Sequence, residues 1–180
     1  MNKKEYFKDR GIEPKHYWMV SEWVNYLKPK KVLDVGCGRG PYLVALKEFE
    51  VECYGIDKSE EAIEASLVPN LVTLGDIKQI PYPDNSFDLV ICIDVLEHLN
   101  LEEIPIAIKE LIRVSNKYIL CSICMVNEYG VDPNWFRDST HKTLKSKVWW
   151  MEQFLYEGCE LEQIPQDWLF WQQLLLFKIK

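Results

Sequence analysis

Three glycines at alternate positions, Gly36, Gly38 and Gly40, follow a β-type apolar run from Lys31 to Val35, and Pro41 behind them suits the first turn of a helix. Glycine is needed where the backbone turns with positive φ, or where a ligand must approach the main chain with no Cβ in the way. A strand, a glycine turn and a helix N-terminus in succession are where an α/β sheet receives a nucleotide-like ligand. Carboxylates and imidazoles recur further along, as Asp57, Asp76, Asp94, Glu97, His98 and His141. Carboxylates accept hydrogen bonds from hydroxyl and amino groups, and a neutral histidine can take a proton near pH 7. The residue types thus suit nucleoside recognition beside a proton acceptor.

The spacing narrows the nucleotide. A dinucleotide fingerprint needs Gly-x-Gly-x-x-Gly, whose third glycine lets helix and strand pack closely under a pyrophosphate. Here Pro41 holds that position. The Gly-Lys-Ser/Thr end of a phosphate-binding Walker loop is absent as well. That favours a ligand with adenosine but no pyrophosphate.

The elements that must position these residues follow from hydrophobic periodicity. Residues 14–27 read as an amphipathic helix that starts at Pro14 and stops before Pro29. Strand 31–36, helix 41–49, strand 51–56 and helix 59–67 alternate after it, with Ser59 as the N-cap of the last. A short strand over 71–75 ends at Gly75-Asp76, and an apolar strand over 87–93 leads to helix 102–114 and strand 117–124. Continuous apolar strands separated by helices indicate a parallel sheet covered on both faces. Residues 126–145 show no period and are expected to form a loop or lid above the strand ends. Ser146 is placed to cap helix 147–157, which Gly158 ends. Strands 160–164 and 168–178 flank Pro165-Gln166-Asp167, a connection that permits only an antiparallel hairpin.

Composition sets the outer bounds. The chain of 180 residues suits a single domain, with 1–28 as an N-terminal helical segment. A net charge of −7 argues against broad nucleic-acid binding, which needs a basic surface. No apolar run approaches the roughly 20 residues of a membrane span. The charged first ten residues lack the apolar segment of a signal peptide. The six cysteines fall mostly in apolar runs, as buried reduced thiols do, which suits a cytoplasmic protein. Cys121 and Cys124 form a lone Cys-x-x-Cys inside a predicted strand, where i and i+3 point to opposite faces, and are not assigned to zinc.

Four motifs in order resemble those of the class I S-adenosylmethionine-dependent methyltransferases of small-molecule type. They are Val32-Leu33-Asp34-Val35-Gly36-Cys37-Gly38-Arg39-Gly40, Tyr54-Gly55-Ile56-Asp57-Lys58-Ser59, Gly75-Asp76-Ile77, and Phe87 to His98. The resemblance covers residues 31–125 and runs more loosely to 180. It implies a Rossmann-like α/β fold with a seven-stranded sheet of order 3-2-1-4-5-7-6, strand 7 antiparallel, and helices on both faces. It implies S-adenosylmethionine as cofactor and S-adenosylhomocysteine as product. Asp34, Gly36, Cys37, Gly38 and Gly40 would then lie by the methionine portion, and Asp57 and Lys58 by the ribose. Asp76 and Ile77 would lie by the adenine, and Asp94 would face the cofactor. For Asp34 and Asp76, loop capping is the competing reading.

On the acceptor side, methyl transfer to a hydroxyl needs a base to remove its proton. His141 and His98 are the candidates, with His16 behind them. Glu97 and His98 would line the acceptor pocket, and Trp135 and Phe136 could stack on a flat or sugar ring or simply pack the lid. Asp94, Glu97 and His98 are spaced i, i+3, i+4, so a helical turn would gather them on one face. With His141 they resemble clusters in metal-dependent small-RNA and quinone O-methyltransferases. The same Asp-Val-Leu-Glu-His run also resembles methyltransferases without metal, and no metal ligand is assigned. The expected reaction is methyl transfer to a small hydroxylated acceptor, such as a sugar or other metabolite, with no nucleic-acid partner. The alternatives are metal-assisted O-methylation of RNA ends, or a methyltransferase-like partner protein that binds cofactor without turnover.

Overall fold

Val32, Leu33, Leu89, Val90, Ile91, Ile119 and Leu120 are all buried, because both faces of the sheet they build are covered. The computed structural model describes residues 12–126, 138–165, 168 and 173–180. The sheet contains β1 (Lys31–Val35), β2 (Glu52–Asp57), β3 (Val72–Leu74), β4 (Phe87–Ile93), β5 (Ser115–Ser122), β6 (Glu160–Glu162) and β7 (Leu174–Lys178). Their order is β3-β2-β1-β4-β5-β7-β6, as the motifs imply. The first five strands pair in parallel, and β7 runs antiparallel to both β5 and β6.

Helices α1 (Pro14–Leu27), α2 (Pro41–Lys47), α3 (Glu60–Glu64), α4 (Ile104–Val114) and α5 (Lys147–Tyr156) surround the sheet. Met19, Val20, Trp23 and Leu27 of α1 join Leu43, Ala45 and Leu46 of α2 in the apolar layer on one face. Ile104, Ala107, Ile108 and Leu111 of α4 join Trp150 and Phe154 of α5 on the other. At about 1.5–3 kcal/mol for each large apolar side chain fully buried, the four α1 residues make that helix part of the core rather than an appendage.

Register places the chemistry. Val35 sits opposite Ile56, Asp57 opposite Leu74, and Ile93 opposite Ser122. Gly36, Asp57, Gly75 and Asp94 therefore emerge along one rim, at the carboxyl ends of the parallel strands, where sheets of this kind bind ligands.

Three elements differ from expectation. Helix 59–67 is cut to α3, because the Leu67 amide donates to Arg39 O at 2.9 Å and Arg39 Nε donates to Ala65 O at 2.9 Å, which ends the helix against the glycine turn. Ser59 caps it as expected, accepting from Ala62 N at 3.1 Å. Helix 102–114 opens as a 3-10 turn at Leu101–Glu103, with the Asn100 and Glu103 side chains closing a capping box, before α4 begins. The β6–β7 connection is not the short Pro165-Gln166-Asp167 turn, since β7 starts only at Leu174. Trp168 N donates to Pro165 O at 3.0 Å, and its buried ring packs with Leu174 and Leu176, which takes this residue out of the ladder.

Of the expected loop 126–145, residues 127–137 lie outside the described residues, as do Trp135 and Phe136. All six cysteines are buried, and none is in a disulfide. Among the described residues no helix is long and apolar enough to cross a membrane.

Candidate active site

The glycine turn is shaped by its surroundings as well as by its own freedom. Gly36 has φ 76°, and a Cβ there would lie 2.3 Å from the Val95 side chain. Gly38 has φ 52° and faces open space. The amides of Gly36 and Cys37 both donate to Ile56 O, at 2.8 and 2.9 Å, which ties the turn to β2. Asp57 closes the arrangement: one carboxylate oxygen accepts from Gly38 N at 2.7 Å, the other from Ser59 N at 2.9 Å. Each oxygen keeps lone-pair capacity for a further donor.

Two cavities, about 460 and 440 Å³, meet at Gly36 and Asp94. The first lies between the glycine turn and α1, with Asp34, Cys37, His16 and Tyr42 in its wall. The second extends past Asp57, Lys58, Asp76, Ile77, His98 and Leu99. Nine of the ten expected cofactor residues border one cavity or both; Gly40 borders neither and serves as the N-cap of α2. His16, from the N-terminal helix that the sequence offers as a cover for the cofactor, meets the Tyr42 ring edge to face at 5.0 Å. Tyr42 carries no such signal in the sequence, and only the packing of α1 against α2 at the glycine turn brings it into the wall.

The acids differ sharply in environment. Asp34 is 1% exposed, and its Oδ2 has no hydrogen-bond partner among the described residues. Burial, with the nearby Asp57 charge, pushes its carboxyl up to about 8. Asp94 is exposed, holds φ 55°, and accepts a hydrogen bond from the Ser122 hydroxyl at 2.7 Å. Asp76 accepts from Lys78 N at 2.8 Å and pairs with the Lys78 ammonium at 3.6 Å, so both its loop-capping and its cavity-lining roles are present.

The acceptor-side residues rearrange the expectation. The turn Leu96–His98 is 3-10 and starts after Asp94, so Asp94, Glu97 and His98 do not share one helical face. Glu97, expected to line the pocket, is 1% exposed and lies beneath it. Its Oε1 accepts from Cys124 N at 2.8 Å, while its Oε2 is buried with no partner among the described residues. Burial raises this carboxyl to about 7. His98 borders the second cavity. Its ring meets that of His141 edge to face, centroids 4.8 Å apart. The His141 side chain is 9% exposed, with Nδ1 buried and unpartnered among the described residues and Nε2 3.6 Å from Asp138. Glu97, His98 and His141 each bring one potential ligand atom within 4.8 Å of the others. Asp138 and Thr140, in the same Asp-Ser-Thr-His run as His141, reach His98 through the Thr140 hydroxyl, a role the sequence does not assign to them.

Comparison with known proteins supports this picture. Residues 33–118 match a family model described as a methyltransferase domain. Ajmaline N-methyltransferase of Rauvolfia serpentina is 38% identical over 98 residues, covering 49% of this chain and 33% of the relative. YcgJ of Bacillus subtilis is an uncharacterized methyltransferase, 26% identical over 154 residues, covering 77% of this chain and 60% of its own. The chain thus spans between a third and three-fifths of the length of these relatives. The crystal structure of YcgJ superposes with a TM-score of 0.69 at 22% identity, over 85% of this chain and 71% of that one. A solved S-adenosylmethionine-dependent methyltransferase of Archaeoglobus fulgidus superposes with a TM-score of 0.72 at 19% identity, over 97% of both chains.

Proposed function

We propose that this chain, which has the class I S-adenosylmethionine-dependent methyltransferase fold, transfers a methyl group to a hydroxyl of a small acceptor. The observation that carries the reading is the pair of cavities that share Gly36 and Asp94, with an Asp34 oxygen unpartnered among the described residues in one and Asp57 beyond the glycine turn in the other. The residues present fit the cofactor. A buried carboxyl with one unpartnered oxygen suits an ammonium group, which restores its charge. Asp57 has lone pairs for two ribose hydroxyls, and Asp76 with Ile77 would hold the adenine. When bound, the cofactor supplies an electrophilic methyl group on a sulfonium.

The chain's own part is alignment and proton removal. His98 is the base, because it borders the cavity while His141 is largely enclosed. The experiment offers methyl-labelled S-adenosylmethionine with sugars, phenols and secondary amines. Amines belong in the panel because ajmaline N-methyltransferase is named for transfer at nitrogen. His98→Gln is expected to lower turnover of a hydroxyl acceptor by about 10²–10⁴-fold. S-adenosylhomocysteine affinity should fall far less. Undiminished turnover removes His98 from the reaction. Cofactor binding with transfer to no acceptor points to the partner-protein alternative.

A second reading rests on Glu97, His98 and His141, where Glu97 Oε2 and His141 Nδ1 are buried without partners among the described residues. Two imidazoles and a carboxylate suit a borderline divalent ion such as zinc or manganese. Such an ion would acidify an acceptor hydroxyl directly. Calorimetric titration with Mn²⁺ and Zn²⁺ tests it. This reading predicts one site per chain that His141→Ala abolishes, and no heat with either ion rejects it. The RNA-end version of this chemistry fits poorly with a net charge of −7.

A further inference from the structure

We propose that Thr140 and Asp138 are positioning residues that hold His98 in a single tautomer, with its proton on Nδ1 and the Nε2 lone pair free. Two groups face Nδ1. The Thr140 carbonyl oxygen lies 3.3 Å away and can only accept. The Thr140 hydroxyl lies 3.0 Å away. Its one proton is committed elsewhere, donated to Asp138 Oδ1 at 2.5 Å. The hydroxyl therefore meets Nδ1 with a lone pair. Both neighbours call for a proton on Nδ1, and a neutral imidazole has only one N–H to give.

The clamp is tied to the turn that carries His98. Lys142 N and Thr143 N donate to Glu97 O at 2.8 and 3.0 Å, and Thr143 Oγ1 donates to Leu99 O at 2.8 Å. Thr140 N donates to the same Asp138 oxygen at 2.9 Å, which fixes the bend that aims the hydroxyl. Segment 138–143 and turn 96–99 thus hold one geometry together. Among the described residues no hydrogen bond engages Nε2 of His98. When an acceptor O–H breaks, its proton moves to Nε2 and the oxygen keeps the electron pair. The positive charge that forms on the ring is met at Nδ1–H by the Thr140 hydroxyl, polarised by Asp138.

The inference rests on the reading of His98 as the base, but its test needs neither acceptor nor cofactor, so the two can fail separately. The chain has three histidines. Long-range ¹H–¹⁵N correlation of ¹⁵N-histidine-labelled protein therefore gives a small spectrum, assigned with His98→Gln. At a pH of about 9, where an imidazole is neutral, wild-type His98 is expected as the Nδ1–H tautomer alone. Thr140→Val removes the hydroxyl at an exposed position and should give a mixture of both tautomers, and Thr140→Ser should restore one. An Nε2–H signal from the neutral wild-type ring at that pH overturns the proposal, and so does a Thr140→Val spectrum identical to wild type. With a methyl acceptor in hand, Thr140→Val should lower kcat by about 10–100-fold, as loss of an orienting partner does, and leave KM nearly unchanged.

Discussion

Asp57→Ala should weaken S-adenosylhomocysteine binding by about two to four orders of magnitude in a calorimetric titration. Two charge-assisted hydrogen bonds to ribose hydroxyls are worth about 1.5–3 kcal/mol each, and each ~1.4 kcal/mol is a factor of ten in affinity. A second cost comes through the backbone. Asp57 also accepts from Gly38 N and Ser59 N, so its loss leaves the glycine turn without the carboxylate that fixes it. Asp57→Asn separates the two contributions. One amide oxygen can still hold Gly38 N, while the NH₂ group faces a hydroxyl as donor instead of acceptor. The asparagine protein should therefore fall between wild type and alanine. Equal affinity of wild type and Asp57→Ala would remove the ribose from this position, and tight binding of NADH in its place would overturn the cofactor assignment.

The glycine turn and the strand-end acids were legible because backbone geometry demands them. Gly36 at φ 76° with Val95 against it admits no other residue without strain, so type and position carry the meaning together. The sheet order was legible through the motifs, whose spacing reproduces the observed strands within a residue or two. The acceptor side was less so. Glu97 and His98 are adjacent in sequence, yet a 3-10 turn buries one and leaves the other by the cavity. No periodicity distinguishes that turn from the start of an α-helix, which would have kept Asp94 with them. The contacts of Thr140 with His98 span 42 residues of chain, and those of Glu97 O with Lys142 and Thr143 are equally non-local. Local propensity carries no trace of such pairings. The β6–β7 connection fails for a related reason: Trp168 has the apolar character of a strand residue, but its ring is used to close the core.

Apo Asp34→Asn protein should have a flatter dependence of stability on pH than wild type. The Asp34 carboxyl is raised to about 8 in the folded chain by burial first and by Asp57 second, against an ordinary value of 3.8. Between those values the folded state holds a proton that the unfolded state has released, so stability falls as pH rises. The contribution is fully present below pH 3.8 and gone above about 8. From pH 5.5 to 8, at ~1.4 kcal/mol per unit, wild type should lose on the order of 3 kcal/mol relative to the variant. Glu97, raised to about 7, adds a slope of the same sign to both proteins, so the difference between them isolates Asp34. Urea unfolding at the two pH values measures it, and parallel profiles would refute it. The same residue should show the opposite effect on the ligand. An ammonium group beside Asp34 favours the ionised carboxyl, so S-adenosylhomocysteine binding near pH 7 should release a proton, detectable by calorimetry in buffers of different ionisation enthalpy. Asp34→Asn should abolish that release and lower affinity. A carboxylate that costs the empty protein stability at neutral pH, and recovers it when a cation arrives, has the energetics of a binding residue rather than of a loop cap.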